Sequence, residues 1–274
     1  MRIIKKIIKS SIEYVLALLG FKLARSFHHL AYRTSPSEIL ALIEKLRPVS
    51  ISTPLIRFGP NSDGGYLIPD DLKGVSSCFS PGVSAISGFE IDCAQRGMKV
   101  LLADKSVDSP KETHLQFQFE KKYIGAYRDD DFITLDDWVL ESQISPDEDS
   151  ILQMDIEGYE YEALLSLSNL TQARFRIIVI EFHSLDQLWN QPFFNLSSRV
   201  FEKLLQTHDC VHIHPNNYSP PIEHNGISIP PLLEMTFLRK DRVIKSAEKL
   251  TFPHDLDFDN TKHTSLSLPD IWYK

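Results

Sequence analysis

The sequence predicts an α/β domain: a mostly parallel seven-stranded sheet with helices on both faces, preceded by an N-terminal amphipathic helical appendage. Three observations carry this expectation. From Val75 onward, short apolar runs alternate with amphipathic segments of helical length, the order that builds a parallel sheet with crossover helices. Polar side chains able to do chemistry follow several of the runs, at the strand ends where open α/β sheets bind ligands. The first 25 residues obey a different rule, apolar at three-and-four spacing with lysines between.

That opening segment, "MRIIKKIIKSSIEYVLALLGFKLARS", places Ile3, Ile4, Ile7, Ile8, Ile12, Val15, Leu16 and Leu19 at helical spacing. Six basic residues against Glu13 give residues 1–25 a charge of +5, so the rest of a chain of net −8 carries −13. The uninterrupted apolar stretch from Tyr14 to Leu19 is far shorter than the roughly 18–20 residues that span a bilayer. The expectation is a helix lying on an anionic membrane surface, with packing on the body or on a second subunit as the alternative. The acidic remainder argues against nucleic acid as a partner, since phosphate neutralisation dominates that affinity. Cys78, Cys93 and Cys210 are scattered and odd in number, which fits a reduced compartment and core positions.

Next, "SEILALIEKLRPVS" reads as a helix with Ser37 as N-cap and Pro48 as stop, and "IRFGPNSDGGYLIPDDLKG" as turns and a short hairpin. "VSSCFS" begins the sheet. "AISGFEIDCAQRG" is a helix ending at Gly97, "KVLLAD" the second strand, and "FQFEKKYIGA" contains the third. "TLDDWVLESQ" is a short helix from Thr134, "SILQMDIEG" the fourth strand, and Tyr159 to Ser168 the helix after it. "FRIIVIEFH" is the fifth strand, a helix covers the region of Ser197 to Thr207, and "CVHIHPNN" and "LLEMTFLRK" are the last two strands. The expected divisions are 1–50 for the helical, membrane-associating segment, 51–246 for the domain and 247–274 for a polar tail that wraps the domain or moves freely.

Chemistry gathers at the strand ends. Ser80, Pro81, Gly82 and Ser84 follow strand one, and Asp104 ends strand two, 22 residues after Gly82. A glycine turn into a helix, then an acid about 20 residues on, is the arrangement that holds a nucleoside and its ribose. "PGVSAISG" lacks the glycines of a dinucleotide loop, so a nucleoside is favoured. Asp155 and Glu157 end strand four, Glu181 and His183 strand five, and His212 and His214 strand six. Alternate residues share a strand face, so these sets can converge if strands five and six end side by side. Mixed nitrogen and oxygen donors suit Zn or another divalent transition ion such as Mn, and a mainly carboxylate set a harder ion such as Mg. Metal-free acid–base chemistry and a structural role stay open alternatives. In "DGGYLIP", Asp63 and Tyr66 are polar handles beside the flexible Gly64–Gly65 backbone.

The stretches "TLDDW", "MDIEGYEYEAL" and "IVIEFH", with "DGGYLIP" and "HIHPNNY", resemble the FkbM-type methyltransferases, S-adenosylmethionine-dependent enzymes of the class I Rossmann-like fold. The resemblance covers roughly residues 55–240. It implies S-adenosyl-L-methionine as cofactor, with "SPGVS", Asp63 and Gly65 facing it and Asp104 on its ribose. Asp155 and Glu157 would lie beside the methyl group. For methyl transfer to a hydroxyl, Asp155 and Glu181 are expected to position the acceptor or a divalent ion, with His183 and His212 or His214 as base or ligands and Asp155, Glu181 and His183 as the candidate metal set. The resemblance also implies O-methylation of a sugar in a surface glycan or natural product, by a cytoplasmic enzyme held at the inner membrane face. A metal-dependent hydrolase, or a non-catalytic glycan- or nucleoside-binding module on the same fold, is the alternative.

Overall fold

The computed structural model describes residues 21–23, 30–83 and 87–274. Its centre is a seven-stranded sheet: β1 Val75–Pro81, β2 Lys99–Ala103, β3 Phe117–Glu120, β4 Asp149–Met154, β5 Phe175–Phe182, β6 His208–Pro215 and β7 Leu233–Arg239. Their spatial order is β6-β7-β5-β4-β1-β2-β3. All neighbouring pairs are parallel except those of β7, which runs antiparallel to both β5 and β6. The expected α/β sheet is therefore present, with one condition altered. Strands five and six are not neighbours, because β7 lies between them.

The helices are α1 Pro36–Leu46, α2 Gly88–Gln95, α3 Leu135–Glu141, α4 Glu160–Ser166, α5 Asn169–Gln172 and α6 Gln191–Thr207. Alternation along the buried strands divides the core in two. Leu152, Ile178, Ile213 and Phe237 face α1, α3, α4 and α6, while Ile151, Val179, Val211 and Leu238 share the other face with Phe89 of α2. On that second face, a hairpin of Leu55–Phe58 and Tyr66–Pro69 takes the place a helix would occupy. It is tied to the sheet by Thr236 Oγ1, which donates to the Leu67 carbonyl at 2.7 Å.

Several element ends differ from the sequence reading for local reasons. The N-cap of α1 is Ser35, not Ser37: Pro36 presets the first helical residue, and Ser35 and Glu38 form a reciprocal capping box. Helix α6 begins at Gln191, ahead of the expected Ser197, with a proline in its first turn. The helix after β4 ends at Ser166, short of the expected Ser168, whose side chain accepts from Thr171 N and caps α5. Phe21–Leu23, read as the end of the opening helix, pairs antiparallel with Leu30–Tyr32. The rest of that amphipathic helix, and Ser84, lie outside the described residues. The polar tail returns to the body, where Trp272 is fully buried in the first core and donates from Nε1 to the Ser228 carbonyl at 3.1 Å.

His208 at the start of β6 shows how burial fixes a charge state. Its Nε2 lies 2.7 Å from the Phe175 carbonyl, which can only accept, so Nε2 carries the proton. Its Nδ1, 2.8 Å from Thr207 Oγ1, is then the acceptor. Burial pushes the ring down to about 4 from 6.5. Between those values the unfolded chain binds a proton that the folded chain does not, so stability rises with pH across the window. Denaturant unfolding of the wild type should therefore become steeper in pH than that of His208→Asn by up to one proton, about 1.4 kcal/mol per pH unit. Equal slopes for the two proteins would exclude His208 as the source.

Candidate active site

The carboxyl ends of β1 and β4 are adjacent, and there the backbones nearly touch. Gly82 has φ +89°, and a Cβ at this position would sit 1.6 Å from the Asp155 carbonyl oxygen. Any side chain is thus excluded twice, by conformation and by space. Gly82 N donates to the Ala103 carbonyl at 3.0 Å, tying the turn to the end of β2. Beside it opens a cavity of about 390 Å³, whose walls include Gly82, Asp104, Tyr123, Phe132, Asp155 and Glu157. At its β2 end, Asp104 Oδ1 accepts from Ser106 N at 2.7 Å and Oγ at 2.6 Å, which orients the carboxylate.

The neighbouring candidates divide. Ser80 is buried away from the cavity, its Oγ 2.5 Å from Glu90 Oε1 and 2.6 Å from Gln153 Oε1, and Pro81 offers its carbonyl to Asp155 N. Burial pushes the Glu90 carboxyl up, against the Ser80 hydrogen bond that lowers it. Asp63 lines a small adjoining cavity of about 30 Å³ with Gly64, Tyr66, Glu90 and Asp155. Gly65 does not line it. Its Cβ position is 1.9 Å from the Pro60 carbonyl, so this glycine serves the packing of its own turn.

The tip of β4 folds back on itself. Glu157 has φ +56° and Gly158 φ +102°, a left-handed pair that returns the chain so that Glu160, at the start of α4, reaches the loop it has just left. Glu160 is fully buried, and its Oε1 accepts from Ile156 N and Gly158 N, both at 3.1 Å. The same oxygen lies 3.0 Å from His183 Nδ1. Just beyond β5, the His183 carbonyl accepts from Tyr161 Oη at 2.8 Å, so both ring and backbone of this histidine are held. Its Nε2 is then aimed at Glu157 Oε2, 3.5 Å away, and Asp155 Oδ1, 3.8 Å away. Burial pushes Asp155 up to about 7, against the pull of His183 and with the help of Glu157, Glu160 and Asp63. Burial alone would lower His183, but Glu160, Asp155 and Glu157 together raise it. Glu160 and Tyr161 were not among the residues singled out from the sequence. Their signal was the acid three residues beyond Glu157 within "DIEGYE".

Glu181, His212 and His214 do not join this group. Glu181 stands opposite Glu234 on β7, and Glu234 opposite His214 on β6, a buried polar row across three strands. Glu181 accepts from Asn216 Nδ2 at 2.8 Å and is pushed well up by burial, then by Asp155 and Glu234. His212 Nε2 lies 2.9 Å from Asp257 Oδ1, and His214 Nδ1 3.6 Å from Asp257 Oδ2. Burial opposes the charge on Asp257, yet the two imidazoles hold its carboxyl well below the usual range. Asn260 Nδ2 joins Glu234 at 2.5 Å and Asp63 at 3.2 Å. Intervening β7 is the reason the two imidazole groups stay apart, and the tail supplies the partners that the sequence could not reveal.

The strand order, the single antiparallel strand β7 and a ligand cavity at the ends of β1 and β2 define a class I, Rossmann-like methyltransferase architecture. The family model described as "Methyltransferase FkbM domain" matches residues 24–210, and the chain belongs to that family of S-adenosylmethionine-dependent methyltransferases. A search of curated proteins returns no significant match. Among solved structures, a variant of the 16S rRNA (adenine(1408)-N(1))-methyltransferase from Catenulisporales acidiphilia is similar at 8% identity and a TM-score of 0.28, over 69% of this chain and 98% of that one. The family assignment rests on the sequence match alone.

The cavity has the volume of a small-molecule site, its walls are largely apolar, and the Asp104 carboxylate held by Ser106 is a polar acceptor in its lining, a donor set compatible with a nucleoside cofactor. Gly82→Ala should lower affinity for S-adenosylhomocysteine at least tenfold and lower the unfolding midpoint, read by calorimetric titration and thermal melts. Unchanged affinity would mean that the Gly82–Asp155 crossing does not shape the cofactor wall.

Proposed function

We propose that the protein transfers a methyl group from S-adenosyl-L-methionine to a hydroxyl of a sugar in a surface glycan or natural product. The observation that carries this reading is one cavity lined by Asp104, Asp155 and Glu157, with His183 Nε2 3.5 Å from Glu157 Oε2 and 3.8 Å from Asp155 Oδ1. The cofactor supplies an electrophilic methyl on a sulfonium. Asp104 would take the ribose hydroxyls, and Tyr123 and Phe132 would cover the flat faces of the base. Asp155, Glu157 and His183 would meet the acceptor oxygen, orient it and favour loss of its proton. Carboxylates beside an imidazole suit a polyhydroxylated acceptor, whose O–H groups they can accept.

The acidic body supports a carbohydrate over a nucleic acid acceptor. Among the described residues no helix is long and apolar enough to cross a membrane. Residues 1–25, basic and amphipathic in sequence, would instead bring the enzyme to an anionic surface bearing lipid-linked glycan, at the inner face of the membrane.

Titration calorimetry with S-adenosylhomocysteine should show binding in the micromolar range, weakened at least tenfold in Asp104→Ala. With the acceptor supplied, His183→Ala should lose at least 100-fold in turnover while keeping wild-type affinity for S-adenosylhomocysteine. Absence of cofactor binding would sink the methyltransferase reading. Near-native turnover in His183→Ala would remove this cluster from the chemistry.

A further inference from the structure

Asp155 and Glu157, in the cavity wall, and His183 each offer a ligand atom, all within 4.8 Å of one another, and His183 Nε2 faces Asp155 Oδ1 and Glu157 Oε2. Each is left free by its own surroundings. Glu160 Oε1 already accepts from two backbone N–H groups, and as a carboxylate it can only accept from His183 Nδ1 as well. The imidazole of the neutral ring is thereby fixed with its lone pair on Nε2, pointing away from Glu160. Asp155 Oδ1 is buried and has no hydrogen-bond partner. Glu157 has an 87% exposed side chain on a loop held in place by Glu160, so its carboxylate can adjust without moving the backbone.

Two carboxylate oxygens around His183 Nε2 favour a positive charge there, which either a proton on the ring or a cation between the three atoms supplies. A divalent ion bound at about 2.1 Å from each would need ligand atoms about 3.0–3.6 Å apart. The observed separations of His183 Nε2 from Glu157 and Asp155, 3.5 and 3.8 Å, are within a few tenths of an ångström of that requirement. A buried carboxylate that orients a ligating histidine through its other nitrogen is the usual outer partner of a metal-bound imidazole, and Glu160 occupies that position.

We propose that Asp155, Glu157 and His183 bind a divalent cation, with Glu160 as the positioning residue behind His183. One imidazole and two carboxylates leave coordination positions for other oxygens, and Asp155 and Glu157 line the cavity, a set that suits Mn2+ better than the all-oxygen cage of Ca2+ or the closed tetrahedron of structural Zn2+. The site differs from the set first suggested by the sequence in one ligand: Glu157 takes the place of Glu181, whose Oε1 is bonded to Asn216. Resting on the methyltransferase reading, the open positions would be filled by the acceptor hydroxyl and a neighbouring oxygen, which restricts substrates to those presenting two adjacent oxygens.

The test needs no acceptor. Electron paramagnetic resonance of free Mn2+ is followed as the full chain is added, and S-adenosylhomocysteine binding is measured on the same preparation by calorimetry. The wild type should remove the free-ion signal with micromolar affinity. Glu157→Gln, exposed and benign to folding, should bind at least tenfold more weakly, His183→Ala at least 100-fold, and Glu160→Gln about 10–100-fold. The exposed His263→Ala should be unchanged. Retention of the free-ion signal by the wild type, or equal Mn2+ affinity in Glu157→Gln and His183→Ala, overturns the metal site. If S-adenosylhomocysteine still binds in that case, the methyltransferase reading stands without it.

Discussion

A single carboxylate oxygen organises the working edge of this molecule. Glu160 Oε1 receives two backbone N–H groups from the loop between β4 and α4 and faces the His183 ring just beyond β5. Without an acceptor there, the left-handed backbone at Glu157 and Gly158 would have lost the hydrogen bonds that offset its strain. Asp155 and Glu157 would then have no fixed direction, and His183 no fixed tautomer. The oxygen is fully buried, so its bonds are made away from the competition of water. Two strands and a helix are thereby locked at the one place where their side chains have to agree.

The sheet follows from simpler physics and was largely legible. Strands such as "SILQM" and "FRIIVIEF" are buried on both faces, and both faces of the sheet carry apolar clusters. Their continuous hydrophobicity therefore announces a parallel sheet more clearly than alternation would. The strand-end rule then found Gly82, Asp104, Asp155, Glu157 and His183, all of which meet at or beside one cavity. Helix ends were less legible because single residues decide them. Ser35 and Ser37 are equally good caps in isolation, and Pro36 makes the choice.

What remained hidden was lateral order. Nothing in a strand's own residues says that β7 enters between β5 and β6, and this one insertion separates His212 and His214 from His183. In place of convergence it produces the buried row Glu181, Glu234, His214, closed by Asp257 and Asn260 from the tail. Asp257 is 45 residues from His212, in a segment whose polar composition left open whether it wraps the domain or moves freely. Polar residues in a tail read as solvated until the buried groups they complete are known.

The place of β7 also constrains how the chain can assemble as it is made. Strand β6 pairs only with β7 in the sheet, and β7 lies later in sequence, so β6 has no partner edge until residues 233–239 have left the ribosome. Until then the outer edge of β5 stands open, a long and mostly apolar template for pairing with other chains. The last strand must slot into a gap rather than add to a rim. By this order, the edge of β5 is left uncovered for the whole interval in which residues 183–232 are made.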